Sequence, residues 1–227
     1  MKAVDDRNAR AGQDQIVSLA PLFLGFYHLV HVYMFYNNAR KLDFKSESEG
    51  RFMSEKVIWI DGAGWGDLIL GVVIGALNPP DTRYMERRIP VSSFRPPNFE
   101  NQQYLDDTVK IADEIVEVMR PDMETNFKVC SGYVLSSISR HLRERGFKVE
   151  EVEVTGELQE KVERSYIRWC KEIGVPAERL EDKRRFWTFL EWVAERPWLR
   201  EKLVKTGWKS WKKKWREKAF EDGFLED

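Results

Sequence analysis

The residues best placed to do chemistry are Asp61 and the glycine-rich turn that follows it, residues 62–67. Asp61 ends a short apolar run, Lys56–Ile60, whose β-branched residues predict a strand. A dinucleotide-binding loop also carries three glycines, but Asp67 occupies its third glycine position here, and Leu68–Leu77 predicts a strand where such a loop would open a helix. The sequence contains no P-loop pattern. Asp61 is therefore either a functional carboxylate at a strand end or a side chain that bonds the amides of its own turn.

Nucleophilic and zinc chemistry are both disfavoured by the cysteines and histidines. Cys130 and Cys170 lie 40 positions apart without a CxxC pair, and the chain has 3 histidines. This pattern argues against a disulfide framework and a structural zinc site, and it favours a reducing cytoplasm. Cys130 sits in a strand-like run and is interpreted as a small core residue, while His141 lies among arginines and is interpreted as solvated.

The elements that must hold Asp61 follow the order β-β-β-α-β-α-β-α. Three strand-like runs, Lys56–Ile60, Leu68–Leu77 and Tyr84–Phe94, are joined by turns only, which predicts an antiparallel meander. Apolar residues then recur at three and four positions, which predicts helices between the later strands. The later elements are a helix over Leu105–Met119, a strand over Phe127–Cys130, a helix over Gly132–Glu144, a strand over Lys148–Val154 and a helix over Glu157–Ile173. Helical crossovers join parallel strands, so we expect an α/β fold with a mixed sheet.

This order and two motifs resemble the ribonuclease H-like superfamily, whose first strand ends in a catalytic Asp before a glycine-rich hairpin turn. The segment Asp61–Asp67, DGAGWGD, is close to that family's pattern Asp-Gly-Ser-x-x-Gly-Asn. The segment Val129–Val134, VCSGYV, resembles the fourth strand and following helix start, where Asp-Ser-x-Tyr-Val is common. The resemblance covers residues 53–174. It implies a ribonuclease H-like mixed sheet, for which we predict the domain boundaries 53–176.

The resemblance also implies chemistry at Asp61. In that family several carboxylates converge on divalent ions that promote phosphodiester cleavage. It implies Mg²⁺ or Mn²⁺ as the cofactor and Asp61 as a catalytic residue and metal ligand, because Mg²⁺ prefers hard oxygen ligands. The candidates for the remaining acids, chosen by position only, are Glu100, Asp106, Asp107, Glu157 and Glu160. Where the family has Asp on its fourth strand this chain has Cys130, a poor Mg²⁺ ligand.

Three functions stay open on this basis. The first is a metal-dependent nuclease, or a related phosphodiester-processing enzyme, that acts on nucleic acid. The second is a catalytically degenerate nucleic-acid-binding module with the same fold, which Cys130 favours. The third is half of an actin-like ATPase, which would need a second, similar domain for which 227 residues leave no length.

Residues 177–227 predict a basic, Trp-rich helical C-terminal extension. Between residues 183 and 218 there are 13 Lys or Arg against 4 Asp or Glu, a net charge of +9, and six of the nine tryptophans. The residues predicted to contact nucleic acid are Trp208, Lys209, Trp211, Lys212, Lys213, Trp215 and Arg216. Three of them, Trp208, Trp211 and Trp215, share one side of a helix. That stripe suits stacking on single-stranded bases, an amphipathic helix on an anionic membrane, or docking onto the core with the lysines solvated.

Residues 1–52 differ in character from the rest. The run Ile16–Phe35 has about the 20 residues that cross a bilayer, but it contains Pro21, His28 and His31. Met53 begins the segment MSEKVIWID, a short polar lead into a first strand that is typical of the start of a protein. Residues 1–52 are an upstream extension outside the native protein, a membrane anchor, or an extra helix packed on the domain. Unless Ile16–Phe35 is such an anchor, we expect no membrane partner.

The overall composition indicates a soluble, cytoplasmic protein. Hydrophobic residues make up 42% and charged residues 33% of the chain, which is typical of globular proteins and excludes a disordered one. The formal net charge of −1 argues against uniform coating by nucleic acid. Many Glu, Lys and Arg residues with few Gln residues are typical of thermophilic proteins.

Overall fold

The computed structural model describes residues 56–79, 82–181 and 184–222, and their strands and helices follow the predicted order. The predictions for residues 1–52 lie outside the described residues. The strands are β1 (Val57–Ala63), β2 (Val72–Asn78), β3 (Arg83–Ile89), β4 (Asn126–Cys130) and β5 (Lys148–Val152). The α-helices are α1 (Gln103–Met119), α2 (Ser136–Glu144), α3 (Glu157–Glu172), α4 (Arg185–Ala194), α5 (Pro197–Arg200) and α6 (Arg216–Asp222). No helix within the described ranges is long and apolar enough to span a bilayer.

The five strands form one mixed sheet with β1 at its centre. Their order is β3-β2-β1-β4-β5. Strand β2 runs antiparallel to β1 and β3, whereas β4 is parallel to β1 and β5 is parallel to β4. This is the meander followed by helical crossovers that the sequence predicts. The α/β fold class, with a mixed sheet of ribonuclease H-like type, is confirmed.

Strands β2, β3 and β5 are all shorter than predicted, and for β2 and β3 the structure shows the cause. Strand β2 begins at Val72 and not at Leu68, because Leu70 has a positive φ of 59° and its amide donates to the carbonyl of Leu203 (2.7 Å). Strand β3 ends at Ile89, since Pro90 has no amide hydrogen to continue the ladder. A 3₁₀ turn, Val91–Phe94, replaces the predicted end of that strand.

The sheet separates two apolar cores. Alternate residues of a strand point to opposite faces, so Ile58 and Ile60 join the core formed with α1 and α2. Ala63 joins the other core, where α3 packs together with the C-terminal extension. The extension contributes fully buried residues to that core, among them Phe189, Val193, Val204 and Trp211. Residues 177–222 thus help to cover one face of the sheet.

The topology gathers several chain segments at one end of the sheet. Strands β1, β3, β4 and β5 all run in the same direction, so they finish at this end, which we call the carboxyl end of the sheet. The helices α1, α2 and α3 follow β3, β4 and β5, and therefore begin there. Asp61 and the glycine-rich turn lie at the same end.

The close approach of the β2 start to the β3 end can be tested at Gly71. A Cβ atom at this position would lie 1.7 Å from the backbone oxygen of Ile89. We expect Gly71→Ala to lower the free energy of unfolding by about 1–3 kcal/mol, because the backbone must shift to admit the methyl group. The midpoint of urea unfolding, at unchanged m-value, measures the effect.

Gly66→Ala is the matched control. A Cβ at Gly66 has no atom of the described residues within 4 Å, so its effect should stay within about 0.5 kcal/mol. Equal losses in the two variants would contradict the packing described at Gly71.

Candidate functional site

Asp61 lies next to Cys130 at the carboxyl end of the sheet. The parallel register pairs Ile60 with Val129, which sets Asp61 of β1 beside Cys130 at the end of β4. The carboxylate of Asp61 accepts hydrogen bonds from the Cys130 thiol and from the backbone amide of Gly62. Only 5% of Asp61 is exposed. Cys130 thus occupies the place beside Asp61 where the resemblance implies a second acid.

The environment of this pair keeps the thiol protonated. Burial raises the pKa of Asp61 to about 6, which the bonds from Gly62 and Cys130 oppose and the charge of Glu163 reinforces. Burial, and then the charge of Asp61, raise the pKa of Cys130 to about 12. At neutral pH the pair is therefore an ionised carboxylate bonded by a neutral thiol. A thiol in this state is a poor nucleophile, because the thiolate is the reactive form.

Two further acids near Asp61 are paired with one guanidinium. Arg185, the first residue of α4, lies 2.7 Å from Glu163 of α3 and 3.2 Å from Asp67. Asp67 is buried, and its burial raises the pKa of its carboxyl while the charge of Arg185 opposes the rise. Arg185 thus offsets part of the negative charge of Glu163 and Asp67, and the charge of Lys205 also acts on Asp67.

Lys205 joins the C-terminal extension to the glycine-rich turn. Its ammonium group donates hydrogen bonds to the carbonyl oxygens of Gly64 and Trp65, the latter at 3.2 Å, and its backbone amide donates to Leu68 (3.0 Å). The side chain is fully buried. Burial lowers the pKa of Lys205 to about 7, an effect that the charge of Asp67 partly offsets.

The other predicted acids are not brought to Asp61 as a cluster. Glu100 is exposed and lies 3.3 Å from Lys212, while Glu157 is exposed and pairs with Lys161 at 3.5 Å. Asp106 is exposed on the first turn of α1. Asp107 accepts bonds from Ser93, Gln103 and Lys110, and Glu160 lies 3.9 Å from Arg164.

The donor set does not fit the predicted Mg²⁺ or Mn²⁺ centre. Across the described ranges, no three His, Cys, Asp or Glu side chains converge so that they could hold a metal ion. The neighbour of Asp61 is a protonated thiol, and Glu163 and Asp67 are paired with Arg185. Magnesium prefers several free oxygen ligands. The catalytic roles of Asp61, Glu100, Asp106 and Glu157 stay predictions.

The tryptophan stripe of the extension packs against the protein. Trp211 is 1% exposed and donates from its indole nitrogen to Glu201 (3.2 Å). Trp215 contacts Trp187 with ring centroids 5.0 Å apart, and Trp208 is half-buried. The nearby lysines, by contrast, are exposed: Lys209, Lys212, Lys213 and Lys214. This arrangement corresponds to the third sequence-based alternative, in which the stripe docks on the core.

Glu163, Arg185 and Lys205 are the site residues that sequence reasoning missed. Glu163 follows the buried Val162 on the inner side of α3, and this helical position was the one available signal. Arg185 and Lys205 come close to the turn only through tertiary packing, for which the local sequence carries no pattern.

Comparison with known proteins adds little beyond the fold. No family model and no curated protein matches the chain. Among solved structures, the chain is similar to the catalytic core domain of BIV integrase, with a TM-score of 0.32 and 11% identity over 56% of this chain and 78% of that chain. The five-stranded mixed sheet, with the order β3-β2-β1-β4-β5, gives the chain an α/β fold of ribonuclease H-like type. That assignment depends on the strand order and not on this comparison.

The buried carboxylate of Asp61 predicts a specific dependence of stability on pH. The folded protein keeps the Asp61 proton up to about pH 6, whereas the unfolded chain releases it near pH 4. Stability is therefore lost as the pH rises from about 4 to about 6. We expect Asp61→Asn to be more stable than the wild type above pH 6, by about 2–3 kcal/mol, with the difference vanishing below pH 4.

Urea unfolding between pH 3.5 and pH 8 measures this difference. Asp106→Asn removes an exposed carboxylate from the same end of the sheet and should leave the profile unchanged. An Asp61→Asn variant that is less stable than the wild type at pH 7 would show that burial of the charge is not the dominant effect.

The buried ammonium of Lys205 predicts that the free energy of unfolding rises with pH above pH 7, opposite to the effect of Asp61. The folded protein releases this proton near pH 7, while the unfolded chain keeps it to about pH 10. The wild type should therefore gain about 3 kcal/mol relative to Lys205→Met as the pH rises from 7 to 10. Chemical unfolding at pH 7, 8.5 and 10 checks the gain, and a constant difference between the two proteins would refute it.

Proposed function

We propose that this protein binds nucleic acid without cleaving it, as a binding module with a ribonuclease H-like fold. The observation that carries the proposal is the state of Asp61. Its carboxylate is buried beside a neutral thiol, and Glu163, whose charge acts on Asp61, is paired with Arg185. Two-metal cleavage requires carboxylates that are available to the ions. By contrast, four lysines of the C-terminal extension are exposed: Lys209, Lys212, Lys213 and Lys214.

The exposed lysines supply the electrostatic part of binding. Lys209, Lys213 and Lys214 flank the buried Trp211, so a rigid anchor holds the segment that carries them. Phosphate contacts provide most of the affinity in sequence-independent binding, and lysines suit them. Arg216 contributes less, since it is engaged by Glu201 at 2.7 Å.

Residues 209–216, which we call the basic segment, lie beside the carboxyl end of the sheet. The amide of Gly207 donates to the carbonyl of Phe94 (3.0 Å), and Lys212 pairs with Glu100. Phe94 and Glu100 both belong to the chain between β3 and α1, which lies at the carboxyl end of the sheet. A nucleic acid that follows the lysines would therefore pass the loops around Asp61, where the resemblance also implies a substrate.

Fluorescence anisotropy with the full chain and labelled 20-nucleotide DNA and RNA, single-stranded and duplex, tests the proposal. We expect binding that weakens steeply with salt, because each phosphate contact releases counterions. The double variant Lys213→Glu/Lys214→Glu should bind at least about 10-fold more weakly and show a shallower salt slope. Gel analysis in Mg²⁺ and Mn²⁺ should show intact oligonucleotides.

The matched control is Lys148→Glu/Lys171→Glu, which makes the same charge change away from this surface. Lys148 begins β5 at the opposite end of the sheet, and Lys171 is exposed in the last turn of α3. This variant should bind like the wild type. Absence of binding at 50 mM salt would remove the proposal, and metal-dependent cleavage abolished by Asp61→Asn would support the nuclease prediction instead.

A further inference from the structure

A cluster of aromatic side chains lies at the carboxyl end of the sheet, outside the acidic pairs. Trp65 of the glycine-rich turn has its ring centroid 5.6 Å from Tyr133, which follows β4, and 5.7 Å from Tyr104 of α1. Tyr133 is 54% exposed and Trp65 is half-buried, whereas Tyr104 is 4% exposed. Two aromatic rings from two different loops thus reach the surface side by side.

The exposed rings are held in place from below. Tyr104 stacks on Phe94 and Phe99, with centroids 5.3 and 5.4 Å apart. The ring of Trp65 packs edge-on against Phe94, with centroids 6.0 Å apart, and its backbone carbonyl accepts a bond from Lys205. Rings that are fixed before a ligand arrives lose little conformational entropy on binding.

The backbone beside both rings leaves space for a ligand. Gly66 follows Trp65 and Gly132 precedes Tyr133, and at both glycines a Cβ atom would have no atom of the described chain within 4 Å. A flat group can therefore approach the two loops without meeting neighbouring side chains there. Exposed aromatic rings in open surroundings are suited to stacking.

The basic segment lies next to this cluster. Phe99, which stacks on Tyr104, is in contact with Gly207 and precedes Glu100, the partner of Lys212. The chain from Gly207 to Lys212 thus connects the aromatic cluster with the exposed lysines. Aromatic rings beside lysines match a ligand with flat bases on an anionic backbone.

We propose that Trp65 and Tyr133 stack an unpaired base, so that the protein selects single-stranded over duplex nucleic acid. The inference rests on the proposed nucleic-acid binding and adds the class of ligand. Bases inside a duplex are stacked on both faces and cannot reach the rings, whereas single strands present free base faces. The lysines then follow the backbone of the same strand.

Anisotropy with the full-length chain tests the role of Tyr133. We expect Tyr133→Ala to weaken binding of a single-stranded 20-mer by about 10-fold, within the range for one stacked base, and to leave duplex binding and the salt slope unchanged. Tyr133→Phe should bind like the wild type, because it keeps the ring. The far-ultraviolet circular dichroism of each variant checks that the fold persists.

An oligonucleotide with abasic sites separates stacking from indirect effects. The wild type should lose about 10-fold in affinity for the abasic strand, whereas Tyr133→Ala should lose much less, because only Trp65 is left to stack on the base. If Tyr133→Ala binds the normal single strand as tightly as the wild type, the stacking inference is wrong, while a loss in Lys213→Glu/Lys214→Glu would still support the proposed function. If no nucleic acid binds at all, both proposals are wrong.

Discussion

The side-chain nitrogen of Lys205 and the two carbonyl oxygens it bonds hold the C-terminal extension against the glycine-rich turn at the carboxyl end of the sheet. Buried backbone carbonyls need donors, and a glycine-rich turn has few side chains of its own to provide them. Lys205 supplies those donors from the C-terminal extension, so the turn, Trp65 and the extension form one unit. The same docking places Lys212 beside Glu100, just before α1, and buries Trp211 in the core.

Burial of charge explains why the acidic centre and the basic surface differ in character. Asp61 is ionised at neutral pH at a cost in stability, and Cys130 and Gly62 reduce that cost by donating hydrogen bonds. Glu163 and Asp67 are both paired with Arg185. Among the described residues, no three acidic, thiol or imidazole side chains converge so that they could hold a metal ion. The lysines remain on the surface, where a polyanion can reach them.

The sequence predicted what local patterns determine and missed what distant segments determine. The sequence patterns identified the five strands and the three α-helices described between residues 56 and 173, but not the 3₁₀ turn Val91–Phe94, and the order of elements predicted the mixed sheet. The start of β2 was misplaced, because Leu70 bonds Leu203, far along the chain. Helical spacing predicted a stripe of tryptophans, but Trp208 precedes the helical segment, and the contact of Trp215 with Trp187 of α4 is not encoded by spacing. The pairing of Arg185 with Asp67 and Glu163 had no local signal for the same reason.

The isolated bridge between Ile69 and Val204 has a consequence for synthesis on the ribosome. Residues 68–70 are translated long before their partners near residue 204, and the face of the sheet against α3 completes its apolar core only with Phe189, Val193 and Trp211. A nascent chain that has emerged only as far as α3 therefore displays part of this face unprotected. Chaperones that bind exposed apolar segments would therefore meet this face before the extension has been synthesised.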